Sequence, residues 1–241
     1  MKLYNEFADW FHLLTPPSDY VAEAADYVRL IHEALPGART LLELGAGGGN
    51  NALHMKRHFT CTLTDLSPRM LEVSRSINPE CEHIQGDMRE LRLGRQFDAV
   101  FLHDAVEYMT SLDDLSRAVL TAYEHTRPGG VALFVPDGTS ETFVESVDDG
   151  GHDGPDGRGL RYLEWTIDPD PADSLYEVHF AVLLREGDNV RVFHDRHLHA
   201  LFTRQQWYDV LEGAGFVTTL PPLDAVTHEN QVVFLARKPA P

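Results

Sequence analysis

Leu41-Leu42-Glu43-Leu44-Gly45-Ala46-Gly47-Gly48-Gly49 is the stretch on which the reading of this 241-residue chain turns. A short apolar run ends on an acid and then breaks into alternating glycines. A parallel strand stops in this way, turns tightly and hands over to a helix whose first amides face a ligand. The spacing is E-x-G-x-G-x-G. A dinucleotide fingerprint, G-x-G-x-x-G, needs glycine at position 50, where the chain has Asn50. A dinucleotide brings a pyrophosphate that needs the helix end, whereas a ligand without phosphate can use the acidic side chain beside the glycines.

Working outward, Thr60-Cys61-Thr62-Leu63-Thr64-Asp65 reads as a second strand, rich in β-branched residues and ending on a carboxylate. Asp65 lies 18 residues beyond Gly47, room for a crossover helix from about Asn50 to His58 and a return strand. A carboxylate at that strand exit can accept both hydroxyls of a ribose. Ser67 then caps a new helix with Pro68 in its first turn. A third strand, Glu82 to Gln85, runs into Gly86-Asp87-Met88, and a fourth, Phe97 to His103, is apolar and short, as a strand covered on both faces should be. The fifth, Val131 to Val135, follows a turn at Arg127-Pro128-Gly129-Gly130.

These five signals, in this order, resemble the class I S-adenosylmethionine-dependent methyltransferases. The resemblance implies a doubly wound, Rossmann-like α/β sheet of seven mostly parallel strands. It implies S-adenosylmethionine as cofactor and S-adenosylhomocysteine as product, held by Glu43, Gly45, Ala46, Gly47, Asp65, Leu66, Met70, Asp87, Met88 and His103. In that family the aspartate after the third strand accepts the adenine amine and the next amide meets the ring nitrogen, places that fall to Asp87 and Met88.

Before the core, Leu3, Phe7, Trp10, Phe11 and Leu14 recur at helical spacing, and Ser18-Asp19 is expected to cap a second helix running to about Leu35. After it, residues 148–159 read as a loop with almost nothing to bury. Three alternating segments, Arg161 to Ile167, Leu175 to Leu184 and Val190 to Phe202, read as an antiparallel meander inserted between strand five and the last core helix. Thr203 caps that helix through about Glu212, and strands from about Phe216 to Leu220 and Gln231 to Arg237 close the sheet. The expected layout is one methyltransferase domain over residues 1–241. Residues 1–37 form a helical cover, 38–137 the cofactor core, 138–202 the substrate-covering insert and 203–241 the end of the sheet.

Hydrophobic content of 43% and charged content of 24% are those of an ordinary globular protein. No apolar run nears the ~18 residues that span a bilayer. The N-terminus lacks a signal-peptide core, and Cys61 and Cys81 read as core filler, so the expected address is cytoplasmic. A formal net charge of −18 opposes nucleic acid and anionic membranes. The expected partner is a small-molecule acceptor, with a homodimer as one possible assembly. Residues 137–188 alone hold 14 acidic and 3 basic residues, more than half of that net charge.

Within the family the nearest resemblance is to N,N-dimethyltransferases of nucleotide-linked aminosugars, and more broadly to glycine N-methyltransferase-like enzymes. The Phe7-Ala8-Asp9-Trp10-Phe11-His12 stretch and Arg196-His197-Leu198-His199-Ala200-Leu201-Phe202 carry it. It implies transfer of the methyl to N or O of a small molecule. The departures fall at the reacting end. The aminosugar enzymes place a tyrosine where this chain has Phe11, and a histidine, their general base, where it has Tyr108. Shared cofactor use with a different acceptor is therefore expected. Candidates at the exit of strand four are His103, Asp104, Glu107 and Tyr108; His103 can act through its backbone, and the two acids read equally as site groups or as solvated helix-entry acids. On the last insert strand Asp195, His197 and His199 share one face by alternation and His194 and Arg196 the other. His197 is the candidate base, and no metal is expected. Tyr162, Trp165 and Tyr176 are expected to pack the insert on the core. Two rival readings are a nicotinamide-dependent oxidoreductase on a related sheet and a cofactor-binding module without turnover.

Overall fold

The strand that runs into the glycines, β1 (Thr40–Leu44), lies in the interior of a seven-stranded sheet of the computed structural model, which describes residues 1–219 and 232–241. It pairs in parallel with β2 (Thr60–Asp65) on one side and β4 (Phe97–Leu102) on the other. Beyond β2 lies β3 (Glu82–Gln85), and beyond β4 lies β5 (Thr126–Phe134). The far edge is made by β11 (Phe234–Arg237), antiparallel to β5, and β10 (Val217–Thr219), antiparallel to β11. Because all five parallel strands point the same way, their exits line up along one edge, where a doubly wound sheet opens its crevice.

Period-two alternation sends neighbouring side chains of these strands to opposite faces. Leu41, Leu63, Ala99, Phe101, Val131 and Leu133 pack with Tyr27, Val28 and Ile31 of α2 (Val21–Ala34). Leu42, Leu44, Val100, Leu102, Ala132 and Phe134 pack with Leu115, Ala118 and Val119 of α5 (Leu112–His125) and Trp207 and Leu211 of α6 (Arg204–Gly213). Ser67 caps α4 (Pro68–Ile77), accepting from Met70 N–H, and Thr203 and Gln206 form a reciprocal capping box on α6. The short α3 (Asn50–Met55) follows the glycines directly.

The insert is a second, four-stranded antiparallel sheet in the order β6 (Ser146–Gly150), β7 (Arg158–Ile167), β8 (Leu175–Glu186), β9 (Asn189–Ala200). A two-residue turn at Gly187-Asp188, with Gly187 at φ 60°, joins the last two strands.

Four expectations are corrected. The N-terminal segment is not one long helix. It is broken into 3-10 turns at Ala8–Trp10 and Pro17–Tyr20 around a single turn of α1 (Phe11–Leu14). Ser18 and Asp19 lie within the second of these turns, not at a cap, because Pro16-Pro17 sets an extended entry. Arg127-Pro128-Gly129-Gly130 is not a separate turn but a bulge inside β5, between the pairs Phe97↔Thr126 and Ala99↔Val131. The supposed loop 148–159 contains most of β6, an exposed edge strand held by backbone pairing to β7, which leaves no hydrophobic pattern to read. The expected strand ends Leu220 and Gln231 lie outside the described residues. Among the described residues, no helix is long and apolar enough to cross a membrane.

Candidate active site

The glycines turn the chain at the exit of β1. Gly45 sits at φ 80°, and a Cβ there would run into the side chain of Ala105. The turn is stapled to the neighbouring strand. Gly45 N–H and Ala46 N–H both donate to Thr64 O, at 2.9 and 2.8 Å. Gly47 N–H donates to Asp65 Oδ2 at 2.9 Å, and Ser67 N–H to Oδ1 at 2.8 Å. Two backbone amides thus fix the Asp65 carboxylate, while each oxygen keeps a further lone pair for a ligand. Burial raises its proton affinity, against the pull of those amides.

The residues expected at the cofactor and at the reacting end, from Glu43 to His197, line one cavity of about 850 Å³ at the strand exits. That volume accommodates a nucleoside-sized ligand and an acceptor together. Glu43 is buried at the cavity wall, its Oε2 has no partner, and burial pushes it up to about 8. Asp87 does not stand free. Arg89 grips its carboxylate through Nε and Nη2 and also reaches Asp114 at 3.1 Å, so Asp87 is held ionised below its usual range.

His103 corrects the expectation of a backbone role alone. Its ring is buried, with Nδ1 2.8 Å from Asp104 Oδ1 and Nε2 3.1 Å from the Tyr27 hydroxyl. Burial works to depress it, yet Asp104, Glu23 and Glu43 outweigh burial and lift it to about 9. It is a fixed cation among acids. Glu107 is likewise no solvated acid. It is buried, accepts from the Tyr176 hydroxyl, and its Oε1 accepts from Gly138 N–H at 3.3 Å.

Opposite the glycine loop, the inner face of β9 presents Asp195, His197 and His199, as alternation required. His197 is 1% exposed, with Nδ1 2.7 Å from the Tyr108 hydroxyl and Nε2 3.2 Å from Asp195 Oδ2. Burial lowers its proton affinity, partly countered by Asp195; in the tautomer whose Nε2–H donates to Asp195, Nδ1 is the acceptor that faces the Tyr108 hydroxyl. The Tyr108 hydroxyl also lies 3.0 Å from that of Tyr4. His199 Nδ1 is 3.1 Å from the Tyr176 hydroxyl and 3.3 Å from Glu107 Oε2, and its Nε2 is buried without a partner. One ligand atom from each of Glu107, Asp137 and His199 lies within 4.8 Å of the others. Asp137 is open to the void yet surrounded by protein. Burial first, then Asp104 and Glu107, drive its proton affinity far up.

The N-terminal segment straps the two walls together. Asp195 Oδ2 accepts from Lys2 N–H at 2.7 Å and Leu3 N–H at 2.9 Å, and Ser67 Oγ donates to Tyr4 O at 2.7 Å. His12 Nε2 reaches Gly48 O at 3.1 Å, and a Cβ on Gly48 would meet the ring of Phe11. Of the three insert aromatics, Tyr176 is buried and Tyr162 lines the cavity. Trp165 is 57% exposed on the outer face, against expectation; it is odd where Tyr162 and Glu164 are even, so the pleat turns it outward. Tyr4, Asp137 and Glu164 were not picked out in the sequence, since none lies in a motif and each reaches the cavity through tertiary packing.

Comparison with known proteins places the chain beside methyltransferases. A family model described as a methyltransferase domain matches residues 41–130. The chain is 35% identical to dTDP-3-amino-3,4,6-trideoxy-alpha-D-glucopyranose N,N-dimethyltransferase of Streptomyces venezuelae, over 82% of this chain and 83% of that one. Among solved structures it superposes on Streptomyces venezuelae DesVI with a TM-score of 0.86 and 28% identity, covering 97% of this chain and 98% of that one. It superposes on the sugar N-methyltransferase KedS8 of Streptoalloteichus with a TM-score of 0.83 and 26% identity, covering 92% and 88%.

Proposed function

Because the chain belongs to the class I S-adenosylmethionine-dependent methyltransferases, we propose that the cavity at its strand exits methylates an amine nitrogen of a small acceptor, with aminosugars as the nearest chemical guide. The observation that carries this reading is the meeting of the glycine loop, Asp65 and Asp87 with Tyr108 and His197 around a single void. The oxidoreductase alternative falls with the family membership.

The residues present fit the cofactor. Glu43 Oε2 is an orphaned buried acceptor on the wall, and the Gly45 turn makes a cradle that a Cβ would fill. An acidic lining also suits a ligand that carries a sulfonium and an ammonium. Asp65 would take the ribose hydroxyls, Asp87 and Met88 the adenine edge, and Gly45 to Gly47, Leu66 and Met70 the surrounding contacts. His103 would serve as a charged strut, its backbone at the methionyl end. When bound, S-adenosylmethionine supplies a methyl group already activated for in-line displacement, so the protein's main task is positioning.

At the reacting end, Tyr108 would hold the acceptor nitrogen. As the acceptor gives up a proton to the Tyr108 oxygen, the hydroxyl proton passes to His197 Nδ1, and Asp195 stabilises the resulting imidazolium. Phe11 and the strap would exclude water. This proton path speaks against a module without turnover. The outer face of the insert exposes Val147, Leu163, Trp165 and Val192, which supports the expected homodimer, and the free thiols of Cys61 and Cys81 suit a reducing, cytoplasmic compartment.

The test pairs calorimetry with S-adenosylhomocysteine and NAD(H) against methyl transfer from labelled S-adenosylmethionine to a panel of aminosugars and simple amines. Binding of S-adenosylhomocysteine alone, with labelled product at nitrogen, is the expected result. Tight NAD(H) binding would refute the reading.

A further inference from the structure

The cavity wall outside the cofactor contacts mixes aromatic, aliphatic and polar residues, and its charged side chains are mostly acids. Asp19, Glu43, Asp65, Asp87, Asp104, Asp137 and Glu164 line the void, and the proposed function assigns three of them to the cofactor. Four remain around the space left for the acceptor, of which Asp104 is paired with His103 at 2.8 Å. Against them, the lining residues among those described include a single guanidinium, that of Arg89, and no lysine. Arg89 lies on the cofactor side and is spent on Asp87 and Asp114. The undescribed stretch 220–231 contains no lysine or arginine either.

Other means of binding a phosphate are also engaged. The glycine loop that opens α3 gives its Gly47 amide to Asp65, and the strap covers Gly48 through His12 and Phe11. A helix entry with a carboxylate already on its amides does not welcome a second anion.

The acceptor end instead asks for donors. Asp104 and Asp137 face the void, with Glu107 directly behind, so that Asp137 cannot ionise comfortably without a counter-charge. Independently, His199 is 8% exposed on the same wall and its Nε2 has no partner, an unmet polar atom of the kind that a ligand satisfies. Both observations describe a pocket built for a cationic, hydrogen-bonding guest.

Resting on the methyltransferase reading above, we infer that the acceptor is a phosphate-free amine, drawn in as its ammonium by Asp104 and Asp137, and not a sugar carried on a nucleoside diphosphate. Although relatives are named for dTDP-linked aminosugars, a diphosphate here would meet four carboxylates and no free lysine or arginine side chain among the described residues.

The test is calorimetric titration of the S-adenosylhomocysteine complex with dTDP on one hand, and with a panel of phosphate-free amino glycosides and alkylamines on the other. The inference expects no saturable dTDP binding. It expects amine binding that weakens at least about tenfold in Asp137→Asn, while S-adenosylhomocysteine affinity is unchanged and reports an intact fold. Saturable dTDP binding to the complex would overturn it, as would a panel in which no amine binds in a manner that depends on Asp137. Amine binding that requires added Mg²⁺ and vanishes with chelator would assign Glu107, Asp137 and His199 to a metal ion and overturn it too. If S-adenosylhomocysteine itself does not bind, the cofactor assignment fails first, an outcome separate from the other three.

Discussion

The Tyr108 hydroxyl stands 2.7 Å from His197 Nδ1, joining the exit of β4 in the large sheet to the last strand of the small one. Neither sheet supplies the pair alone. Behind His197, Asp195 fixes the ring, and the same Asp195 oxygen anchors the first residues of the chain. Tyr108→Phe removes the relay's entry and keeps the ring's bulk. Its kcat should fall by about 10- to 100-fold, within the range for a positioned acid–base group, with S-adenosylhomocysteine affinity unchanged. Since the two residues act as a unit, His197→Gln in the Tyr108→Phe background should add little. Fully multiplicative losses in steady-state kinetics would show that they do not share one path.

Asp195→Ala removes the acceptor from two backbone amides and from the His197 Nε2–H at once. Leaving buried donors unpaired costs about 1–3 kcal/mol in stability. The N-terminal strap should loosen with it. Hydrogen exchange at Lys2 and Leu3 should therefore rise well beyond the change in the sheet core, and uniform protection across the chain would count against the strap's dependence on Asp195.

At the other wall, Asp65→Ala takes away the group that orders the Gly47 amide and offers lone pairs to the cavity. S-adenosylhomocysteine binding should weaken by about 1–3 kcal/mol through lost buried hydrogen bonds. Calorimetry decides this directly, and unchanged affinity would mean the ribose contact lies elsewhere.

The cofactor end was legible because its signals are local. Glu43, Gly45, Gly47, Asp65 and Asp87 each sit where a strand ends, and a repeating strand–helix chain brings successive strand ends to one edge. The inner face of β9 could be read for the same reason, since alternation alone puts Asp195 with His197. The acceptor end was not legible. Tyr4 meets Tyr108 across 104 residues, and Glu107 is buried only because Tyr176 comes down on it from the insert. No periodicity in either segment records that contact. The N-terminal segment misled in a different way. Its apolar residues do recur at helical spacing, but they are spent on the insert, with Phe7 stacked 4.0 Å from Phe193 and Trp10 packed with Leu160 and Val182. Side-chain burial on a neighbouring sheet imitated a helix face.

A last prediction concerns pH, through His103. Its folded proton affinity, raised to about 9 from an ordinary 6.5 by Asp104, Glu23 and Glu43 against the cost of burial, means that the folded ring keeps a proton which the unfolded chain releases. The folded state then binds more protons across that window, so raising pH favours unfolding. The contribution is complete below about pH 6.5 and gone above about pH 9, and for a buried ring it should be on the order of 1–3 kcal/mol. Glu43, pushed up to about 8 from 4.5, adds a slope of the same sign that begins lower. Urea unfolding of the ligand-free protein at pH 6, 7.5 and 9 should give a falling free energy of unfolding. His103→Gln should flatten the upper half of that fall while leaving the lower half, which Glu43→Gln should flatten in turn. A wild-type stability that stays flat or rises between pH 6.5 and 9 would mean that the folded state holds no extra proton in that window, at His103 or at the acids around it.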